Sequence, residues 1–181
     1  MYNKEATLLI QFPCGRQGAF SIPNSVDSIG YSAFSLCESL TSIEIPNSVT
    51  SIGEFAFQAC TDLSSVHIPD SVTNIGEYAF AYCTALDSIT CEAVNPPTLG
   101  NDVFYSVDKS IPLYVPSESI LAYQNADQWK DFTNIQAIHA PEGIENNPSA
   151  MFGESRKLLR DGNIYIITDD NTHTLTGQKI R

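Results

Sequence analysis

The chain has 181 residues, 43% of them hydrophobic, and a net charge of −12 from nine basic and twenty-one acidic side chains. This length suits one domain with at most an appendage, and allows burial of roughly 70% of the unfolded surface. No apolar run approaches the about 20 residues that carry a helix across a bilayer. Near the start only Leu8, Leu9 and Ile10 form an apolar run, too short for a signal-peptide core, so the chain is expected to be cytosolic or already trimmed. Between Gln17 and Asp108 there is no Lys or Arg, and that stretch has a formal charge of −11. Nucleic acid and anionic membranes are held by clustered cations, so both are excluded as partners. The simplest role of the charge is to keep a sheet-rich chain dispersed.

In chain order, the first strong signal is self-similarity. Ile22-Pro-Asn-Ser-Val-Asp-Ser-Ile-Gly30 returns as Ile45-Pro-Asn-Ser-Val-Thr-Ser-Ile-Gly53 and as Ile68-Pro-Asp-Ser-Val-Thr-Asn-Ile-Gly76, with a period of 23. Each unit continues into Ala-Phe, then a Cys, then a Leu three residues further on. A unit this short cannot bury its own apolar face, so neighbours must stack into a solenoid with a shared core. Leu40, Ile43 and Ile45 predict a short strand with Ile43 and Ile45 on one face, ended by Pro46. Copies of that strand stacked at about 4.8 Å build a parallel sheet with apolar side chains inward. A second extended piece spans 49–52 and closes at Gly53, and 54–59 has room for about one and a half helical turns. Cys14, Cys37, Cys60 and Cys83 are also 23 apart, and Cys91 falls in the Ile column. Their spacing predicts five small core positions and favours thiols over a disulfide framework, because neither a metal-type Cys-x-x-Cys pair nor an even disulfide set is present, while stacked neighbours are still able to pair on oxidation.

The pattern Ile-Pro-x-Ser-Val-x-x-Ile-Gly-x-x-Ala-Phe-x-x-Cys-x-x-Leu-x-x-Ile resembles the BspA-like leucine-rich repeat. Leu8 to Pro13 is similar to the strand that often precedes a first repeat of that family. Cys91 to Leu99, Leu113 to Ser117, Ala122-Tyr123 and Trp129 to Phe132 are similar to its terminal repeat and cap. The resemblance implies an α/β fold: a right-handed leucine-rich-repeat solenoid with a parallel sheet, over residues 1–140 with clear repeats at 22–90. It also implies a secreted or cell-surface adhesion module that binds a host or extracellular-matrix protein or a glycan, with no enzymatic activity and no cofactor. Gln17 and Phe20 replace the expected Leu and Ile, and Phe104 lies one residue out of frame, as capping end units require. Residues 117–125 read as a short helix with Ser117 as N-cap, and Trp129 and Phe132 are expected over the open end.

Residues 141–155, with two Pro, two Gly and paired Asn, read as a linker. Residues 156–181 have five basic and three acidic side chains and alternate short strand patterns with the turns Asp161-Gly162 and Asp169-Asp-Asn171. They are expected to form a small antiparallel β segment that resembles the sorting-type tail of secreted proteins from the same bacterial group.

No Gly-x-Ser-x-Gly elbow, phosphate-cradling loop or His-Glu-x-x-His appears. Glu44 and His67 occupy equivalent outward positions on neighbouring strands, about 5 Å apart, and a carboxylate beside an imidazole is an acid/base pair. A solvated pair on an open sheet is the simpler account, with a carbohydrate-processing hydrolase as the rival. Asp169, Asp170 and Asn171 have Ca2+-ligand chemistry, but a polar hairpin turn explains them better, so no metal site is assigned. For contact with a partner, the helical side offers Phe55 with Tyr78 and Leu36 with Tyr82, and Trp129 is a further aromatic candidate. A spacer that only displays a neighbouring domain is the other non-catalytic possibility. Oligomeric state is not legible, although an uncapped solenoid edge is able to pair with its own copy.

Overall fold

A computed structural model describes residues 1–138 and, at backbone level, the strands Ser155–Arg160, Asn163–Thr168 and Asn171–Thr174. Two compact units divide the chain, Met1–His139 and Ala140–Arg181. In the first, strands alternate between two sheets: β1 (Leu8–Leu9), β2 (Gly18–Ser21), β3 (Ser28–Ile29), β4 (Leu40–Glu44), β5 (Ser51–Ile52), β6 (Ser65–Ile68), β7 (Asn74–Ile75), β8 (Ser88–Cys91), β9 (Thr98–Leu99), β10 (Pro112–Val115) and β11 (Asn134–Ala137). The longer strands form a parallel sheet in the order β11-β10-β8-β6-β4-β2, and the two-residue strands a second one in the order β1-β3-β5-β7-β9. The result is a parallel β-solenoid of about six turns.

The register follows the repeat. Ile43 pairs with Val66 and Val66 with Ile89, so each apolar residue meets its own equivalent one coil on. Ile43, Ile45, Val49, Ile52, Ala56, Phe57 and Cys60 close one coil around its interior, all buried. Phe34, Phe57, Phe80 and Phe104 stack along the axis with centroids 4.8, 5.1 and 5.7 Å apart and planes within 11°. Coils approach so closely that glycine is required between the strand and the turn. A methyl group at Gly53 would lie 2.8 Å from the carbonyl carbon of Gly30, and one at Gly76 would lie 2.7 Å from that of Gly53. Only a residue without Cβ lets two backbones meet there.

The α/β reading is corrected to a nearly all-β solenoid, because 54–59 forms no helix. Its amides divide into two sets instead of bonding four residues back. Ala56, Gln58 and Cys60 donate to carbonyls three residues earlier, whereas Phe55, Phe57 and Ala59 donate to Glu77, Ala79 and Ala81 of the next coil at 2.7–2.8 Å. Directing alternate amides along the axis places Phe55 and Ala59 at φ of 59° and 55°, and Tyr78 and Tyr82 at 53° and 61°. Left-handed backbone is costly for residues with side chains, and the third ladder of inter-coil hydrogen bonds offsets that cost.

Among the described residues helix is confined to the C-terminal cap. A 3-10 turn at Ser117–Ser119 runs into α1 (Ile120–Tyr123), and a second 3-10 turn spans Trp129–Asp131. Ser117 is not the expected cap, since its hydroxyl bonds the Glu118 carboxylate. Tyr123 donates to the Ala93 carbonyl at 2.8 Å and Trp129 Nε1 to the Pro97 carbonyl at 3.0 Å, so both rings close the core with their polar atoms satisfied. At the other end two stacked cysteines depart from the favoured thiol state: Cys14 and Cys37 form a disulfide between the first two coils. Cys60, Cys83 and Cys91 are buried thiols, and Cys14 is only half-buried.

In the second unit β12 (Ser155–Arg160), β13 (Asn163–Thr168) and β14 (Asn171–Thr174) pair antiparallel in that order. The 141–155 linker, apart from the Ser155 backbone, and Asp169 and Asp170 lie outside the described residues.

Candidate functional site

Two surfaces of the solenoid carry the residues singled out in the sequence. On the long sheet the outward column is Ser21, Glu44, His67 and Thr90, paired strand to strand in that order. Glu44 and His67 are therefore neighbours, yet their side chains have other partners. Ser21 donates its hydroxyl to Glu44 Oε2 at 2.7 Å, and His67 Nε2 lies 3.3 Å from Glu92 Oε1. Glu92 sits just past the end of β8 and was not singled out in the sequence. A cleft of about 600 Å³ opens beside the column, lined by Ser21, Asn24, Glu44, Asn47 and His67 among others. The His67 and Glu92 side chains are 50% and 41% exposed, so this contact is solvated. Such a pair contributes about 0–1 kcal/mol and has no low-dielectric surroundings to sharpen proton transfer.

The second surface is the run of turns that follows the glycine column. Phe55 and Tyr78 stack at 5.6 Å with planes 7° apart, both half-buried. Tyr31 closes on Phe55 edge-on at 5.6 Å, and Tyr105 closes edge-on against Tyr78 at 6.3 Å and Tyr82 at 5.3 Å. Five rings thus run continuously over four coils on the outside of the turns. Tyr31, Tyr82 and Tyr105 are exposed, as is Leu36.

The columns expected for Phe55 with Tyr78 and Leu36 with Tyr82 hold, although they sit on turns rather than a helix. Tyr31 and Tyr105 were missed in sequence. Tyr31 occupies the column that holds Glu54 and Glu77, and the period lengthens from 23 to 24 between Gly76 and Gly100, which shifts Tyr105 out of frame. Trp129 is 1% exposed, so its ring is a cap of the core and is withdrawn from the contact candidates.

Carboxylates border the rings. Tyr78 donates its phenol to Asp102 Oδ2 at 3.0 Å, and the accepting carboxylate holds the phenol above its ordinary range. Asn101 donates to Glu77 Oε2 at 3.3 Å. Lys109, the first cation after Arg16, donates to the carbonyls of Phe104 and Val107 at 2.6 and 2.8 Å and lies 5.4 Å from the Phe132 centroid. Burial pulls its ammonium below the usual lysine range. It is occupied with the backbone of the cap and leaves the border of the rings uncompensated. Among the described residues no three His, Cys, Asp or Glu side chains converge as a metal site, and no helix is long and apolar enough to cross a membrane.

Known proteins give this geometry a context. The family model for the BspA type leucine rich repeat region matches residues 12–128 in six copies. The chain is similar to the structure of a leucine-rich cell-surface protein from Faecalibacterium prausnitzii, at 29% identity and a TM-score of 0.55, over 74% of this chain and 36% of that one. It shares its fold with a leucine-rich-repeat protein from Eubacterium ventriosum, at 22% identity and a TM-score of 0.50, over 75% of this chain and 37% of that one. The chain thus spans little more than a third of either protein. No curated protein matches it.

Proposed function

Because the chain belongs to the BspA-type leucine-rich-repeat family, we propose that it is a non-enzymatic binding segment of a secreted or cell-surface protein, and that it recognises a partner protein through the outer row of rings. The observation that carries this reading is the row itself: five aromatic side chains in unbroken contact across four coils, three of them exposed. Exposed aromatic rings held rigid by their neighbours make contact area at little entropic cost, which is why they recur as interface hot spots. The description of the Faecalibacterium prausnitzii protein as a cell-surface protein supports the location. Residues 156–181 are then a sorting-type tail that follows the solenoid through the 141–155 linker.

A glycan ligand has less support. The central rings Phe55 and Tyr78 turn a face each towards one another, and the carboxylates bordering the row draw a cationic partner more than a neutral sugar. Hydrolysis by Glu44 and His67 also has less support, since each is engaged elsewhere and the His67 pair is solvated.

The test is binding of the purified chain to an array of extracellular-matrix proteins at physiological salt, by biolayer interferometry. Saturable binding, weakened about tenfold or more in Phe55→Ala and Tyr78→Ala variants that remain folded at the assay temperature, is the expected result. Binding lost in Glu44→Gln or His67→Ala while the ring variants bind normally would move the site to the strand face. No binding to any protein would return the chain to a spacer.

A further inference from the structure

The outer row differs from an ordinary aromatic patch in what borders it. Glu54 and Glu77 occupy the column immediately beside Phe55 and Tyr78, and Asp102 follows Tyr78 in the ring column itself. Asn101 fixes Glu77 and the Tyr78 phenol fixes Asp102, so two of the three carboxylates are already oriented by neighbouring side chains. No Lys or Arg lies between Gln17 and Asp108, and Lys109 is engaged with two backbone carbonyls. Rings and carboxylates run side by side along the solenoid axis, and among the described residues no salt bridge engages Glu54, Glu77 or Asp102.

The ring orientations narrow the chemistry. The faces of Phe55 and Tyr78 cover each other, so their edges are what they offer outward. Tyr31 and Tyr105, at the ends of the stack, are turned 67° and 68° from their neighbours and are 67% and 49% exposed, so they are accessible to a partner. A group that is flat, cationic and able to donate two parallel hydrogen bonds fits both features: it packs against an exposed phenol while it pairs with a carboxylate one coil away. Guanidinium has these properties, and ammonium, a compact and strongly hydrated point charge, has only the charge.

We infer that the outer ring row is a docking strip for an arginine-rich extended segment of a partner protein, with guanidinium groups against Tyr31 and Tyr105 and paired with Glu54, Glu77 and Asp102. This rests on the protein-binding reading above and specifies its ligand. The excess acid of the repeats then attracts the segment at long range, and the rings set its selectivity once it arrives.

The test uses a labelled, unstructured Arg-Ser repeat peptide, a Lys-Ser counterpart of equal length and charge, and the full chain, with fluorescence anisotropy at low and at about 150 mM salt. Arg-Ser binding that persists at the higher salt and exceeds Lys-Ser binding by about fivefold or more is expected. Tyr31→Ala should weaken it about fivefold, and the Glu54→Gln/Glu77→Gln double variant about tenfold, with melting temperatures unchanged because these side chains lie at the surface. Equal binding of both peptides that disappears at the higher salt would overturn the inference and leave only net-charge attraction, as would an Arg-Ser affinity indifferent to these variants. The two readings fail differently. If only the arginine assignment is wrong, a matrix-protein partner is still lost in Phe55→Ala while the Arg-Ser peptide does not bind. If the protein-binding reading is wrong, no partner responds to any ring variant.

Discussion

Phe55 and Phe57 are two residues apart in one turn and belong to two different ladders. Phe57 is fully buried and stacks between Phe34 and Phe80 along the axis of the core. Phe55 stacks on Tyr78 outside the turn, half-buried and bordered by carboxylates. The amides of both donate along the axis to the next coil, so one backbone device builds both ladders. A repeat that copies every position copies the outside as faithfully as the inside. The inner ladder holds the coils together, whereas the outer one is maintained at the same spacing without being needed for closure.

The largest expected effect separates the two. Phe57→Ala removes a fully buried ring from the middle of a continuous stack and should cost about 3–5 kcal/mol. Phe55→Ala removes one half-buried stacking partner and should cost about 1 kcal/mol. Urea denaturation of the two variants checks the difference, and equal losses would show that the outer stack supports the fold as much as the inner one.

The inner ladder also creates the surroundings of the thiols. Cys60 Sγ donates to the Phe34 carbonyl at 3.2 Å and Cys83 Sγ to the Phe57 carbonyl at 3.1 Å, so the thiols run beside the phenylalanines. Its hydrogen bond with Cys60, and then burial, push the Cys83 thiol above its ordinary 9.0, and burial does the same for Cys91. Burial likewise raises the Tyr123 phenol above 10.0. The native chain keeps these protons where the unfolded chain releases them. The associated stability is therefore complete below pH 9 and is lost as pH rises, by about 1.4 kcal/mol per pH unit for each group that the unfolded chain has already deprotonated. Denaturation midpoints measured upward from pH 8 should stay level and then fall. At pH 8 a thiol reagent should leave Cys60, Cys83 and Cys91 unmodified in the native chain and modify all three in denaturant.

Much of the inner architecture was legible because apolar spacing encodes it directly. Ile43 and Ile45 alternate as a half-buried strand must, and Ala56-Phe57 recurs at the point where each coil turns. The fold of the turn was not legible, since a helix and a chain of left-handed turns bury the same Ala, Phe and Cys. What separates them is the destination of alternate amides, and φ near 60° at Phe55 or Tyr82 leaves no mark in a side-chain pattern. The disulfide was hidden for a related reason. Four cysteines at one spacing are equivalent on paper, and only the end position of Cys14, half-buried on the first coil, distinguishes its pairing with Cys37. At the candidate site, the columns of Glu44 with His67 and Phe55 with Tyr78 followed from the period. Glu92, Tyr31 and Tyr105 did not, because each contacts the site from outside the repeated column.

The smallest effect tests the outer ladder without disturbing either fold or rings. Asp102 accepts the Tyr78 phenol proton, and that hydrogen bond, with the carboxylate charge behind it, holds the phenol above 10.0. Asp102→Asn keeps the shape and an acceptor oxygen but removes the charge, so the Tyr78 phenol should return towards 10.0 while the melting temperature at pH 7 stays unchanged. Spectrophotometric titration of the variant against the parent, with Tyr78→Phe to identify the signal, reads this directly. A parent phenol that titrates no higher than the other exposed tyrosines would mean that the carboxylate is not fixed against the ring. The preoriented border on which arginine recognition depends would then be lost at Asp102, leaving Glu77 as the one carboxylate held by a neighbour.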